Sequence, residues 1–211
     1  MLKMHQHSKE SKFHIFLLLC LIFVFVWSFI NCFDLFTWIL ETLPVIIGLA
    51  ILLPTYRRFR FTNMVYTLIW IHAIILLIGA HYTYAHEPLF NWIKDSFALG
   101  RNHYDRVGHF AQGFIPAMIA REVLLRKSPL QKGKWLFAIV IALCLAMSAA
   151  FELFEFLVAI LSGDSSTAYL ATQGDEWDTQ KDMALCLLGA LVSLLTMSKL
   201  HDRALGKIRT S

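Results

Sequence analysis

Charge is scarce in this chain. Only 16% of its 211 residues are Asp, Glu, Lys or Arg while 57% are hydrophobic, a balance that points away from a soluble domain. The four cysteines, Cys20, Cys32, Cys144 and Cys186, fall in or beside apolar runs with no CxxC pair, so neither a disulfide framework nor a zinc knuckle is suggested. No P-loop, GxSxG elbow, HExxH motif or dinucleotide fingerprint occurs, and no internal repeat or low-complexity tract is apparent. A formal net charge of +4 would hint at nucleic acid if the basic residues clustered on soluble elements. They flank apolar runs instead, so no nucleic-acid partner is expected and the basic residues read as topology signals.

What is present is long apolar sequence. A membrane-spanning helix needs about 20 largely apolar residues, and candidates lie at about 13–31, 35–53, 63–82, 107–125, 135–161 and 182–198. The fold class expected is therefore all-α, a single integral membrane domain over residues 1–211 built as a polytopic helical bundle of about six spans. The first run follows Lys3, Lys9 and Lys12 as a secretory signal would, but it is long for one and no small-x-small cleavage site follows, so it reads as retained.

Lys and Arg are enriched in cytoplasmic segments. With the N-terminus inside, the inner segments collect fifteen of the nineteen basic residues, leaving Lys94, Arg101, Arg106 and Lys181 outside. Both termini are therefore expected in the cytoplasm of a multi-pass membrane protein. Two long outer loops follow, about 83–106 and 162–181, and Trp27, Trp38, Trp92 and Trp177 sit where interfacial aromatics are expected. The fifth apolar run, about 27 residues or roughly 40 Å of helix, exceeds a hydrocarbon core of about 30 Å and must tilt or project.

Three spans carry ionisable groups near their outer ends. Asp105 and His109 are four apart, with Gln112 and Pro116 on the same stripe; Glu152 and Glu155 are three apart, in register with Ser148; Asp178 and Asp182 are four apart, with Cys186 and Gly189 following. Glu152 lies about 17 residues past Trp135, roughly 25 Å along the helix, so all three pairs can occupy one layer. An ionised residue at mid-membrane is unfavourable by about 2.5–3.5 kcal/mol on insertion scales and so usually faces a bundle interior. Asp105, Asp178 and Asp182 have a plainer reading as helix-start acids favoured by the helix dipole. His81 and His86 read as interfacial, and His72 as a satisfied core histidine. Glu152 and Glu155 have no such plain reading, because neither sits at a helix end that needs an anion. The acidic loop 173–182 around Trp177 could ligate a hard cation or be solvated.

Gly79-Ala80-His81-Tyr82-Thr83-Tyr84, the run Arg101-Asn102-His103-Tyr104-Asp105-Arg106-Val107-Gly108-His109-Phe110, Glu152-Leu153-Phe154-Glu155 and the run from Gln173 to Met183 together resemble the YjdF-like bacterial inner-membrane proteins. The resemblance covers nearly the whole chain and implies location and fold rather than a reaction. The chain is more loosely similar to the VanZ-like membrane proteins, associated with glycopeptide resistance, whose spans carry comparable Asp-x3-His, Glu-x2-Gln and Asp-x3-Asn pairs. Glu155 and Asp182 here replace the amides, making this site more acidic.

The expectation is an outer-facing polar site among spans four to six acting on an envelope lipid or lipid-linked group. A divalent cation would be held by Asp105, His109, Glu155 and Asp178 or Asp182, with Glu152 or His103 as general base. Membrane lipids are the expected partners. Two alternatives stand beside it: a proton- or cation-coupled transporter, and a non-catalytic scaffold whose ion pairs specify helix packing. Against transport, no counterpart of the outer cluster is evident on the inner half.

Overall fold

The computed structural model describes residues 2–162 and 173–210, with side chains from 10 to 207 within those bounds. Among the described residues there are seven helices and no strand: α1 (Leu2–Phe29), α2 (Leu35–Thr55), α3 (Asn63–Tyr82), α4 (Pro88–Ser96), α5 (Tyr104–Lys127), α6 (Lys134–Ser162) and α7 (Asp178–Thr210). Each of the six apolar runs lies on a helix. Local chemistry sets several boundaries: Asp34 starts α2 by accepting the Thr37 N–H at 2.7 Å, and Thr62 starts α3 through the Val65 N–H at 3.2 Å. Thr83, left-handed at φ 52°, closes α3.

Five helices, α1, α2, α3, α6 and α7, are long and apolar enough to cross a membrane. The fourth predicted span, α5, is long enough at 24 residues but carries Asp105, Arg106, Arg121, Glu122, Arg126 and Lys127. Its polar residues are accommodated because it packs against α3, α6 and α7 and turns Asp105, His109, Arg121 and Glu122 into the protein. The main core joins these four helices through Val65, Ile115, Met118, Val140, Cys144 and Ala190, among others.

α5 and α7 run parallel and nearly touch backbone to backbone. A Cβ on Gly113 would overlap the Cys186 carbonyl oxygen, and one on Gly189 would overlap that of Phe110, so each helix supplies the glycine the other requires. The pair is tied at both ends, by Arg106 with Asp182 at the start and by Arg121 with Asp202 (2.7 Å) toward the end.

That second end corrects an expectation. Arg121 and Glu122 lie at the end of the predicted span 107–125 and His201 beyond 182–198, but α5 continues to Lys127 and α7 to Thr210, and all three residues are buried inside the bundle. Glu122, fully buried, accepts from Thr62 N–H (2.9 Å), Thr62 Oγ1 (2.8 Å) and Arg126 (2.6 Å) and meets His201 Nε2 at 3.0 Å. An ionisable counterpart of the outer cluster therefore does exist at the opposite end. His14 gathers the same end, bonding Tyr56 at 2.8 Å and Asn63 at 2.9 Å. The start of α1 and the end of α7 thus lie at one end of the bundle, as an even number of crossings requires.

The predicted outer loop 83–106 contains α4, a nine-residue helix started by Pro88 and by Glu87 accepting the Phe90 N–H at 2.8 Å. Its Leu89 and Trp92 are exposed, as suits a helix lying along a membrane surface. Half of the other predicted loop, residues 163–172, lies outside the described residues.

Candidate functional site at the head of α5 and α7

Asn102, fully buried, fixes where α5 begins. Its backbone N–H donates to Gln173 Oε1 (2.8 Å) while its carbonyl accepts from Gln173 Nε2 (3.0 Å), and its side chain donates to Glu87 O and Asn91 Oδ1, both at 2.9 Å. Its Oδ1 accepts the Tyr104 N–H at 3.0 Å, so α4, the approach to α7 and the first turn of α5 are joined through one residue, the first and last by its side chain and the second by its backbone.

On that frame two arginines bridge the helix starts. Arg101 pairs with Asp105 (3.3 Å), Asp175 (3.6 Å) and Asp178; Arg106 pairs with Asp175 (3.1 Å), Asp178 and Asp182. Bidentate guanidinium forks suit such shared carboxylates better than a lysine would. Lys181 adds contacts to Asp175 at 2.6 and 2.7 Å, and this hydrogen bonding holds the Asp175 carboxyl below its usual range.

One turn further in, His109 stands between carboxylates. Its Nε2 is 3.3 Å from Asp105 Oδ1 and 3.8 Å from Asp182 Oδ2, and its Nδ1 is 3.1 Å from Gln112 Oε1 and 3.7 Å from Glu152 Oε1. Asp105, His109 and Asp182 each offer a ligand atom, and the three atoms lie within 4.8 Å of one another.

The remaining predicted site residues are placed differently. Asp178 is engaged by both arginines. Glu155 lines a neighbouring cavity together with Asp105 and His109. His103, half-buried at the start of α5, makes no hydrogen bond or ion pair to Glu152 or to the Asp105–His109–Asp182 group among the described residues. Desolvation first, and then Arg101 and Arg106, hold its imidazole below the ordinary range. His81 is interfacial in character, stacked on Trp27 and within 3.1 Å of Ser28 O, and His86 stacks on Phe33. His72 departs from the satisfied core histidine expected, since its Nε2 has no hydrogen-bond partner and its ring lines the cavity.

That cavity, of about 350 Å³, has α2 and α6 as walls and α3 and α5 as floor. Tyr84 reaches it because Gly79 and Gly108 leave room for its ring. A second, larger cavity of about 710 Å³ shares Pro44, Ile47, His72, Leu76 and Met147 with the first and continues along α5 to Leu124. The two form one groove, polar at one end and apolar at the other. Glu41 of α2, buried in the polar end, is a site residue that the sequence reading missed, although an acid inside the apolar run 35–53 meets the same criterion that singled out Glu152.

A bundle of apolar helices with ionisable side chains turned inward defines an integral polytopic membrane protein. Residues 13–203 match the family described as "Predicted membrane protein (DUF2238)", and the chain belongs to that family. It is 42% identical over 187 residues to the "Inner membrane protein YjdF" of Escherichia coli (strain K12), covering 89% of this chain and 90% of that protein. No solved structure matches the chain.

Proposed function

We propose that this chain, a member of an inner-membrane protein family, takes up a membrane lipid or a group carried on one. The lipid enters between α2 and α6 and seats its polar head at the Glu41, Asp105, His109 and Glu155 end of the groove. One observation carries this reading: the cavity that holds the Glu41, Asp105, His109 and Glu155 side chains shares five lining residues with a larger apolar one. From His109 to Leu124 the groove follows about 15 residues of α5, roughly 22 Å, more than half of a hydrocarbon core of about 30 Å and enough for one acyl chain. Lateral access is supported by packing, because α2 rests mainly on α3 while α6 rests on α5 and α7. The excess of lysine and arginine in the segments at the opposite end supports an orientation with both termini in the cytoplasm and the polar end of the groove outside.

Gly48 offers a clean test. It lines the apolar groove and a Cβ there would meet nothing within 4 Å, so Gly48→Phe fills the groove without disturbing the backbone. Native mass spectrometry of the purified protein should find a lipid that co-purifies with wild type and is lost from Gly48→Phe, while both unfold at similar temperature. Equal lipid retention by the two proteins would sink the reading.

Coupled transport is the second reading, favoured by the ionisable Glu122–His201 network at the far end of α5 and α7. A proteoliposome flux assay separates it from lipid uptake, because transport predicts ion movement that Glu122→Gln abolishes.

A further inference from the structure

We propose that Asp105, His109 and Asp182 hold one divalent metal ion of the zinc class, and that this site belongs to the protein whether or not lipid fills the groove. The ligand atoms would be Asp105 Oδ1, His109 Nε2 and Asp182 Oδ2. Zinc bonds of about 2.0–2.2 Å in a tetrahedron put neighbouring ligand atoms roughly 3.3–3.6 Å apart. The His109 Nε2 separations of 3.3 and 3.8 Å lie close to that spacing, so small side-chain rotations complete the set. Two carboxylates and one imidazole leave the fourth position open, as in catalytic rather than structural sites.

A second observation is independent of the three ligands. Glu152 Oε1, on a residue only 7% exposed, has no hydrogen-bond partner, and it points at the other ring nitrogen of His109 from 3.7 Å. Gln112 Oε1 is 3.1 Å from the same nitrogen. A metal-bound histidine characteristically donates its second N–H to a carboxylate or carbonyl, which fixes the tautomer that leaves Nε2 free for the metal. With Nδ1–H donating to Gln112, and to Glu152 after a slight approach, His109 is presented in that form.

Charge gives the site a reason to bind. Arg101 and Arg106 are shared among Asp105, Asp175, Asp178 and Asp182, and Glu152 adds a further buried carboxylate. Two guanidinium groups and the Lys181 ammonium on Asp175 do not balance those five acids, and uncompensated buried charge is costly. An imidazole in the ligand set favours zinc over magnesium or calcium, which prefer oxygen alone.

The test uses the full chain in detergent, stripped with chelator, titrated with Zn2+ alone and assayed for bound metal after desalting. Wild type should retain one zinc per chain and gain thermal stability by mass action. His109→Gln should bind at least about 10-fold more weakly, and Gln112→Leu, which removes no ligand, about 10- to 100-fold more weakly. The second variant keeps the result readable if the first folds poorly. Gly48→Phe should keep its zinc, so failure of the lipid reading leaves this proposal standing. No zinc on wild type, unchanged affinity in both His109→Gln and Gln112→Leu, equally tight Mg2+, or loss of zinc from Gly48→Phe would each overturn it. In the last case the ion would be arriving with the lipid.

Discussion

Removing the Glu122 carboxylate tests whether the buried network between α3, α5 and α7 holds that end of the bundle together. Glu122→Ala leaves the Thr62 N–H, the Thr62 hydroxyl, Arg126 and His201 without their common acceptor. Hydrogen bonds to a charged group contribute about 1.5–3 kcal/mol each, but four that share one acceptor do not add. Arg126 is discounted because its side chain is 22% exposed and it keeps a bond to Arg60 O at 2.6 Å. Thr62 and His201 have no such recourse, being 2% and 0% exposed. The expected loss is therefore about 3–5 kcal/mol, the range for breaking a buried charge pair from one side. Reversible unfolding in mixed micelles would measure it, with Asp202→Ala as the comparison. Asp202 is 30% exposed by side chain, and without it the buried Arg121 still bonds His201 Nδ1 at 2.9 Å, so its removal should cost less, about 1–2 kcal/mol. If Glu122→Ala proves no more harmful than Asp202→Ala, the network is not a stabilising element and the reasoning fails.

Gly113→Leu should destabilise by at least about 1–3 kcal/mol through overpacking against the Cys186 carbonyl, and should also weaken zinc retention, because His109 and Asp182 each lie one turn from the contact being forced apart. A variant with normal stability and metal content would show that the two helices tolerate separation. For topology, a reporter fused after Ser211 is expected to be active only in the cytoplasm and one inserted near Asp95 only outside, and an external C-terminus would remove the six-span arrangement.

The helices were legible because lipid imposes a length and a polarity on every span. α5 illustrates both the strength and the limit of that reading. As a whole helix it is too polar to pass as a span, yet the run 107–125 within it is largely apolar and long enough, and counting it as a span makes the basic residues of every inner segment agree. The same counting took Arg121 as part of a cytoplasmic segment and passed over Glu122, whereas the helix continues to Lys127 and both residues are buried in the bundle. Periodicity put Asp105 with His109 and Asp178 with Asp182 on common faces. It could not tell that Arg101 and Arg106 would engage Asp178, or that Glu155 would line one cavity with Glu41, because those outcomes depend on how helices rotate against one another. Glu41 was hidden by the opposite habit, a single acid overlooked because it had no ionisable neighbour three or four residues away. α4 escaped notice because nine residues are too few to register as a span.

The reciprocal glycine contact between α5 and α7 restricts how this protein can move. Two parallel rods fused at mid-length and clamped by arginine–aspartate pairs near both extremities cannot slide or rock without breaking three fastenings at once. They behave as a keel. Motion that opens or shuts the groove must then fall to the helices outside it, and α2 is the freest of these, resting mainly on α3 and interrupted by Pro44 beside the cavity. The acid–imidazole cluster sits on the fixed pair, and the helix that carries Glu41 is the one left with room to move against it.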